Sequence, residues 1–372
     1  MTTLIGAAAL LFFINLWAAA GFWAGVPLSF EAAALLGAGS AAVLTSWTLK
    51  QGAGQKAGGA AVRLSSFLLL SLPLYLWIRT QVGHDWLCHI PLAGSIVRGN
   101  LPARDLASPG NLLPYHYGFD LLAAAAARLA RVLFPFLEIE TALDLASWGA
   151  LVLLLTAGFS WLRAVNERMP ESARIGWGET VLALVLALYG GGLIFAGKHV
   201  DPGVEAWCLD RYAACPPLAL LVGRRPTPLG QALFLFNMAL LLHLERAEKR
   251  RPMTGVMVGV ASAALLLTAE DLYAAGVLAG VALLFWPATR RAARFFLLAS
   301  LAALPVALAQ GGLLTAVAFN ETPAGGGFAW RFRPPFMPGW GLDEPTAASP
   351  RFWAAWLVEF PVSLWLVPAA LW

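Results

Sequence analysis

The sequence predicts an all-α polytopic membrane protein with about ten transmembrane helices and two interfacial helices in its first long outer loop. Two observations predict it. Hydrophobic residues make up 59 % of the 372 residues and charged residues only 12 %, too little polar surface to cover a soluble fold. The apolar residues also fall in runs of about 20, the length an α-helix needs to cross the hydrocarbon core. The same composition excludes disorder, and three cysteines (Cys88, Cys208, Cys215) exclude a disulfide scaffold or a zinc array.

In chain order the predicted spans are 3–24, 28–49, 64–82, 139–163, 177–196, 228–245, 253–269, 272–287, 293–318 and 351–372. The first is read as a retained span, because it lacks the basic start of a signal peptide and a second apolar run follows at once. The stretch from 253 to 287 is divided at Glu270–Asp271, since two acids are costly in hydrocarbon and natural in a tight turn between short helices. Three segments follow: 1–63 with two spans and a basic loop, a core of 64–319 with outer loops 84–138 and 198–227, and 320–372 with an aromatic, proline-rich loop and a last span.

The net charge of +4 reads as topology, and no nucleic-acid partner is expected. With the N-terminus cytoplasmic, 13 of the 25 basic residues lie in the short loops starting at Lys50, Arg163, Arg246 and Arg290, as the positive-inside rule requires. The long loops then face outward across a plasma membrane of the bacterial inner-membrane type. They hold four of the five histidines, so any chemistry is expected outside the cytoplasm, with membrane lipids as neighbours.

The first outer loop is the richest. A short helix is predicted from about Pro91 to Arg98, ending before Gly99–Asn100, and a second from about Tyr117 to Leu133. On the second, Asp120, Arg128 and Arg131 fall within an arc of about 80°, a narrow charged stripe suited to a helix lying in the headgroup plane. Asp85 follows a span, where a carboxylate can act as a general base or hold a divalent cation; a solvated helix terminus is the plainer reading. His84, His89 and His116 lie near it in sequence, but no compact ligand spacing marks a metal site, and hydrogen bonding at the interface is the default.

Elsewhere, Asp201, Glu205 and Asp210 are candidate second acids, and Arg224–Arg225 form either a lipid-phosphate clamp or an interfacial anchor. Cys208 and Cys215 are a candidate disulfide on an oxidising face, with Cys88 left as a buried thiol. Glu270 and Asp271 are candidate catalytic acids or a polar turn. Glu31 and Glu359 sit in apolar helices, neutral or paired. His243, the one histidine within a span, has no cofactor motif around it. The loop FAWRFRPPFMPGWGLDEP suits a cap over a sugar or lipid-phosphate groove, or a docking surface for another subunit.

Asp85 after a span, His89, Gly99 and Pro102 at a turn, the cluster Pro114-Tyr115-His116-Tyr117-Gly118, then Arg224 to Gly230 and Leu267 to Asp271 together resemble the glycosyltransferase C superfamily over roughly residues 64–290. Those are polytopic enzymes that use polyprenyl-phosphate sugar donors. The resemblance implies sugar transfer to an extracytoplasmic acceptor, with Asp85 catalytic and the turn carrying Glu270 and Asp271 approaching the first loop. His89, His116 and Tyr117 are then substrate-binding, beside Arg224 and Arg225, with a divalent metal as a candidate cofactor. The alternative expectation is a non-catalytic subunit of a larger membrane complex.

Overall fold

The computed structural model describes residues 2–26, 28–51, 65–73, 76, 89–189, 227–246, 251–312 and 315–316. Regular structure among them is helical, apart from one isolated antiparallel bridge between Arg104 and Leu112. We number the helices α1 (Thr2–Trp23), α2 (Phe30–Gln51), α3 (His89–Val97), α4 (Gly118–Leu133), α5 (Ile139–Asn166), α6 (Trp177–Tyr189), α7 (Thr227–Arg246), α8 (Arg251–Thr268), α9 (Glu270–Leu283), α10 (Arg290–Ala302) and α11 (Leu304–Gln310). Residues 65–73 are also helical. Asp85, Arg224, Arg225, Cys208, Cys215, Cys88, the acids of 201–210, Glu359, the span 351–372 and the aromatic loop lie outside the described residues.

Four stretches are long and apolar enough to cross a membrane, Thr3–Trp23, Phe30–Trp47, Ile139–Asn166 and Arg290–Gln310, with Pro228–Leu244 and Pro252–Thr268 as shorter apolar helices. That is the physical signature of a membrane protein. On α2, Leu35 and Val43 are more than 70 % exposed, an apolar surface that suits lipid and not water.

The chain forms two compact units, residues 1–174 with 225–325, and 175–224 with 326–372. In the second, α6 opens with the Glu179 carboxylate accepting the Gly176 amide at 2.5 Å, a side chain reaching back to an otherwise unpaired helix-terminal donor. The first unit is built around α8, which packs against α1, α4, α7, α9, α10 and α11. Its residues from Val260 to Thr268 are all buried, as expected of a helix that is apolar on every side. Close approach is set by small residues: a Cβ on Gly255 would meet the Phe295 ring at 2.5 Å. Across the same layer Ser262 bonds Ser300 at 3.2 Å, and the Tyr273 hydroxyl donates to the Ser300 carbonyl at 3.0 Å.

Two spans differ from expectation. The predicted span 293–318 divides at Ala303 into α10 and α11; Pro305 has no amide proton to give the preceding turn. The acids Glu270 and Asp271 do not fill a turn but open α9, after a single extended residue, Ala269 at φ −162° and ψ 92°. Carboxylates in a first turn complement the exposed amides and the helix dipole.

The first loop contains two helices, as predicted, of 9 and 16 residues. Sixteen residues reach about 24 Å, short of the ~30 Å hydrocarbon core. The charged stripe on α4 is not exposed along its whole length, however. Asp120 is fully buried, and only the second half of the helix exposes charge, at Arg128, which pairs with Glu31 of α2. The first half is enclosed because α3, α5, α8 and α1 all pack against α4.

Candidate functional site

The turn after α3 presents the residues of interest. Gly99 ends that helix with φ +99°, a left-handed backbone that glycine adopts without penalty. Asn100 then braces the loop: its amide donates to Ser95 Oγ and the Arg104 carbonyl, and its oxygen accepts the Arg104 amide at 3.0 Å. With the Leu113 amide bonded to the Ala103 carbonyl at 2.9 Å, the chain doubles back and delivers Tyr115, His116 and Tyr117 to the start of α4.

Tyr117, the residue before α4, anchors that delivery. It is fully buried, and its hydroxyl lies 2.6 Å from the Gln310 carbonyl of α11 and 3.0 Å from the Asn15 amide oxygen of α1. One hydroxyl proton serves one acceptor; rotating the Asn15 amide would let it donate to the phenol oxygen while the phenol donates to Gln310. Burial pushes the phenol well above its ordinary range, so Tyr117 stays neutral. It acts as a buried strut between the start of α4, α1 and α11.

Gly118 brings α4 onto the α8–α9 break. A Cβ there would strike Thr268 Oγ1, and on the other side a Cβ on Gly230 of α7 would come 2.7 Å from that of Ala269. The two glycines therefore hold Thr268 and Ala269, the two residues that precede Glu270. The consequence is a meeting of two separate motifs: His116 Nδ1 lies 3.5 Å from Glu270 Oε2, with side chains 31 % and 17 % exposed. Tyr115 stacks on the His116 ring at 4.1 Å and 27°.

Behind this pair lies another. His89 Nδ1 and Asp120 Oδ1 are 2.9 Å apart, with side chains 8 % and 0 % exposed. His89 also meets the Phe119 ring edge-on at 5.7 Å and Tyr115 at 6.2 Å. Burial pushes the Asp120 carboxyl above its ordinary value, while the hydrogen bond and charge of His89, and the more distant His116, pull it back. Among the described residues, Asp120 Oδ2 and Glu270 Oε1 are buried atoms without a hydrogen-bond partner.

The structure thus brings together His89, His116, Tyr117 and Glu270 of the expected site; Asp271 is exposed in the same first turn. It adds Asp120, which the sequence places on a charged stripe in the headgroup plane. The available signal was position: Asp120 directly follows an aromatic cluster and belongs to the first turn of its helix, where neighbours are inherited from the loop. Among the described residues no group of three or more His, Cys, Asp or Glu side chains could hold a metal ion. No protein-family model, curated protein or solved structure matches the chain.

Proposed function

We propose that the protein is a membrane glycosyltransferase, moving a sugar from a polyprenyl-phosphate donor to an acceptor hydroxyl on the extracytoplasmic side, with the His116–Glu270 pair as its base. The single observation that supports this is the approach of His116 to Glu270, two motifs 154 positions apart in numbering (270 minus 116). The resemblance to the glycosyltransferase C superfamily leads one to expect such an approach of first loop and later turn. A histidine whose Nδ1 faces a carboxylate keeps Nε2 available for a proton, and the carboxylate stabilises the imidazolium that results.

In this reading the acceptor oxygen bonds to the anomeric carbon as the carbon–oxygen bond to the donor phosphate breaks. The bonding pair leaves with the phosphate, and the acceptor's proton passes to His116. Asp85 keeps the catalytic position that the resemblance implies, here as the carboxylate that would hold a divalent cation, and Arg224 and Arg225 remain the phosphate clamp. The 3.5 Å separation exceeds a good hydrogen bond, as is common in active sites before substrate tightens them.

The full-length protein in nanodiscs, given a panel of polyprenyl-phosphate sugars, should release polyprenyl phosphate in step with sugar transfer. Glu270→Gln should lower the rate by about 10²- to 10⁴-fold with unchanged folded yield. No turnover of any donor by the wild type, or full activity in E270Q, would reject the proposal in favour of a non-catalytic subunit.

A further inference from the structure

The His89–Asp120 pair is not used by the chemistry just described, yet it is the best-formed polar contact in the neighbourhood. A carboxylate this deeply buried is costly unless paired. Among the described residues its side-chain partner is His89, and its second oxygen has none. A mere packing site would be better served by leucine, which has similar volume and no charge to desolvate. The contacts running outward from the pair form one continuous line: Asp120 to His89 at 2.9 Å, His89 to Tyr115 at 6.2 Å, Tyr115 to His116 at 4.1 Å, and His116 to Glu270 at 3.5 Å.

We infer that Asp120 is a positioning residue: by accepting the His89 Nδ1 proton it fixes that ring, and through the Tyr115 stack it sets the orientation of His116 against Glu270. Each link has a physical reason. A carboxylate acceptor selects the tautomer that carries its proton on Nδ1 and fixes the plane of the ring. An imidazole so held offers Tyr115 a rigid wall, and aromatic rings with centroids within about 4.5 to 7 Å prefer defined mutual tilts. Phe119 packs edge-on against His89 as well. The Tyr115 stack and the approach to Glu270 together restrict how the His116 ring can turn. The titratable groups facing the buried pair, among the described residues, are Tyr115, His116 and, beyond them, Glu270.

The inference rests on the transferase reading only for its effect on rate, so its test has a spectroscopic arm that needs no substrate. The chain has five histidines, and ¹⁵N-histidine labelling of the full protein in nanodiscs, assigned by single His→Gln variants, resolves the protonated nitrogen of each ring. The wild type should show His89 as one Nδ1–H tautomer. A His89 carrying its proton on Nε2 would mean that Asp120 donates instead of accepts, and would overturn the inference.

Asp120→Leu should release His89 into mixed tautomers and also shift or broaden the His116 signals, and Asp120→Asn should do the same more weakly. If D120L folds poorly, D120N carries the test. Release of His89 with unchanged His116 signals would reduce Asp120 to a local structural role and overturn the inference. Where transfer is measurable, D120N should lower kcat by up to about 10²-fold with KM within about twofold, as for a misplaced base. A wild type without transfer but with the coupled histidine signals would sink the proposed activity and leave the positioning intact.

Discussion

Gly118→Ala probes the joint that holds the candidate site together. The added Cβ would strike Thr268 Oγ1 and lie 3.2 Å from both the Leu267 carbonyl oxygen and Thr268 Cβ. Thr268 has little room to yield, being 1 % exposed with its hydroxyl bonded to the Ala264 carbonyl at 2.8 Å. Overpacking of this kind costs about 1 to 3 kcal/mol, and alanine's better helix propensity returns up to ~1 kcal/mol. A net loss of roughly 1 to 2 kcal/mol is expected, read as a fall of a few degrees in the thermal midpoint of the detergent-purified protein. The damage is also directional. Relief by displacing the α8–α9 break would carry Glu270 away from His116, and a shift of about 1 Å can cost ~10²-fold in rate. The control is G118A/T268A, which deletes Oγ1 and leaves only the 3.2 Å contacts, so part of the loss should return through coupling of neighbours. A G118A protein as stable as wild type, or a double variant no better than the sum of the singles, would refute the reasoning.

Tyr117→Phe removes the hydroxyl shared by Gln310 and Asn15 and leaves buried groups unpaired, so unfolding should show a loss of about 1 to 3 kcal/mol. Because burial raises the Asp120 carboxyl above its ordinary 3.8, the folded state keeps, just above that pH, a proton that the unfolded chain releases, and the carboxylate that accepts from His89 forms as pH rises further. The stability tied to that group is complete below about pH 4 and declines as pH rises through the raised value; D120L should flatten this slope in a pH series of thermal midpoints. Arg128 and Glu31 pair on half-exposed ground, with side chains 45 % and 43 % exposed, so R128A should shift stability by no more than about 1 kcal/mol.

Run length made α1, α2, α5 and α7 legible, since ~20 apolar residues have few other uses. Charge placed the α8–α9 break, because Glu270 and Asp271 could not sit in mid-span. The division of α10 from α11 is hidden in the sequence because 293–318 is one apolar run, interrupted only by the missing amide of Pro305. Asp120 is illegible for a different reason. A helical wheel reports which residues share a face, and the stripe of Asp120, Arg128 and Arg131 is real, but what covers that face depends on helices distant in sequence. At the Arg128 end it is open. At Asp120 it is closed by α3 and its His89, a partner 31 positions away. Single amides in apolar helices carry no pattern, and only the fold shows the Asn15 amide and the Gln310 backbone carbonyl meeting at the Tyr117 hydroxyl, with the Gln310 amide donating to the Phe12 carbonyl.

The most direct test of the account is a double-mutant cycle on sugar transfer, with H116Q, E270Q and the combination measured at saturating polyprenyl-phosphate donor. If His116 is the base and Glu270 holds it, each single variant should lose about 10²- to 10⁴-fold and the double variant should be scarcely worse than the poorer single, since residues acting as a unit are not additive. Losses that multiply would show two independent groups, and unchanged rates in all three variants would place the chemistry elsewhere in the chain.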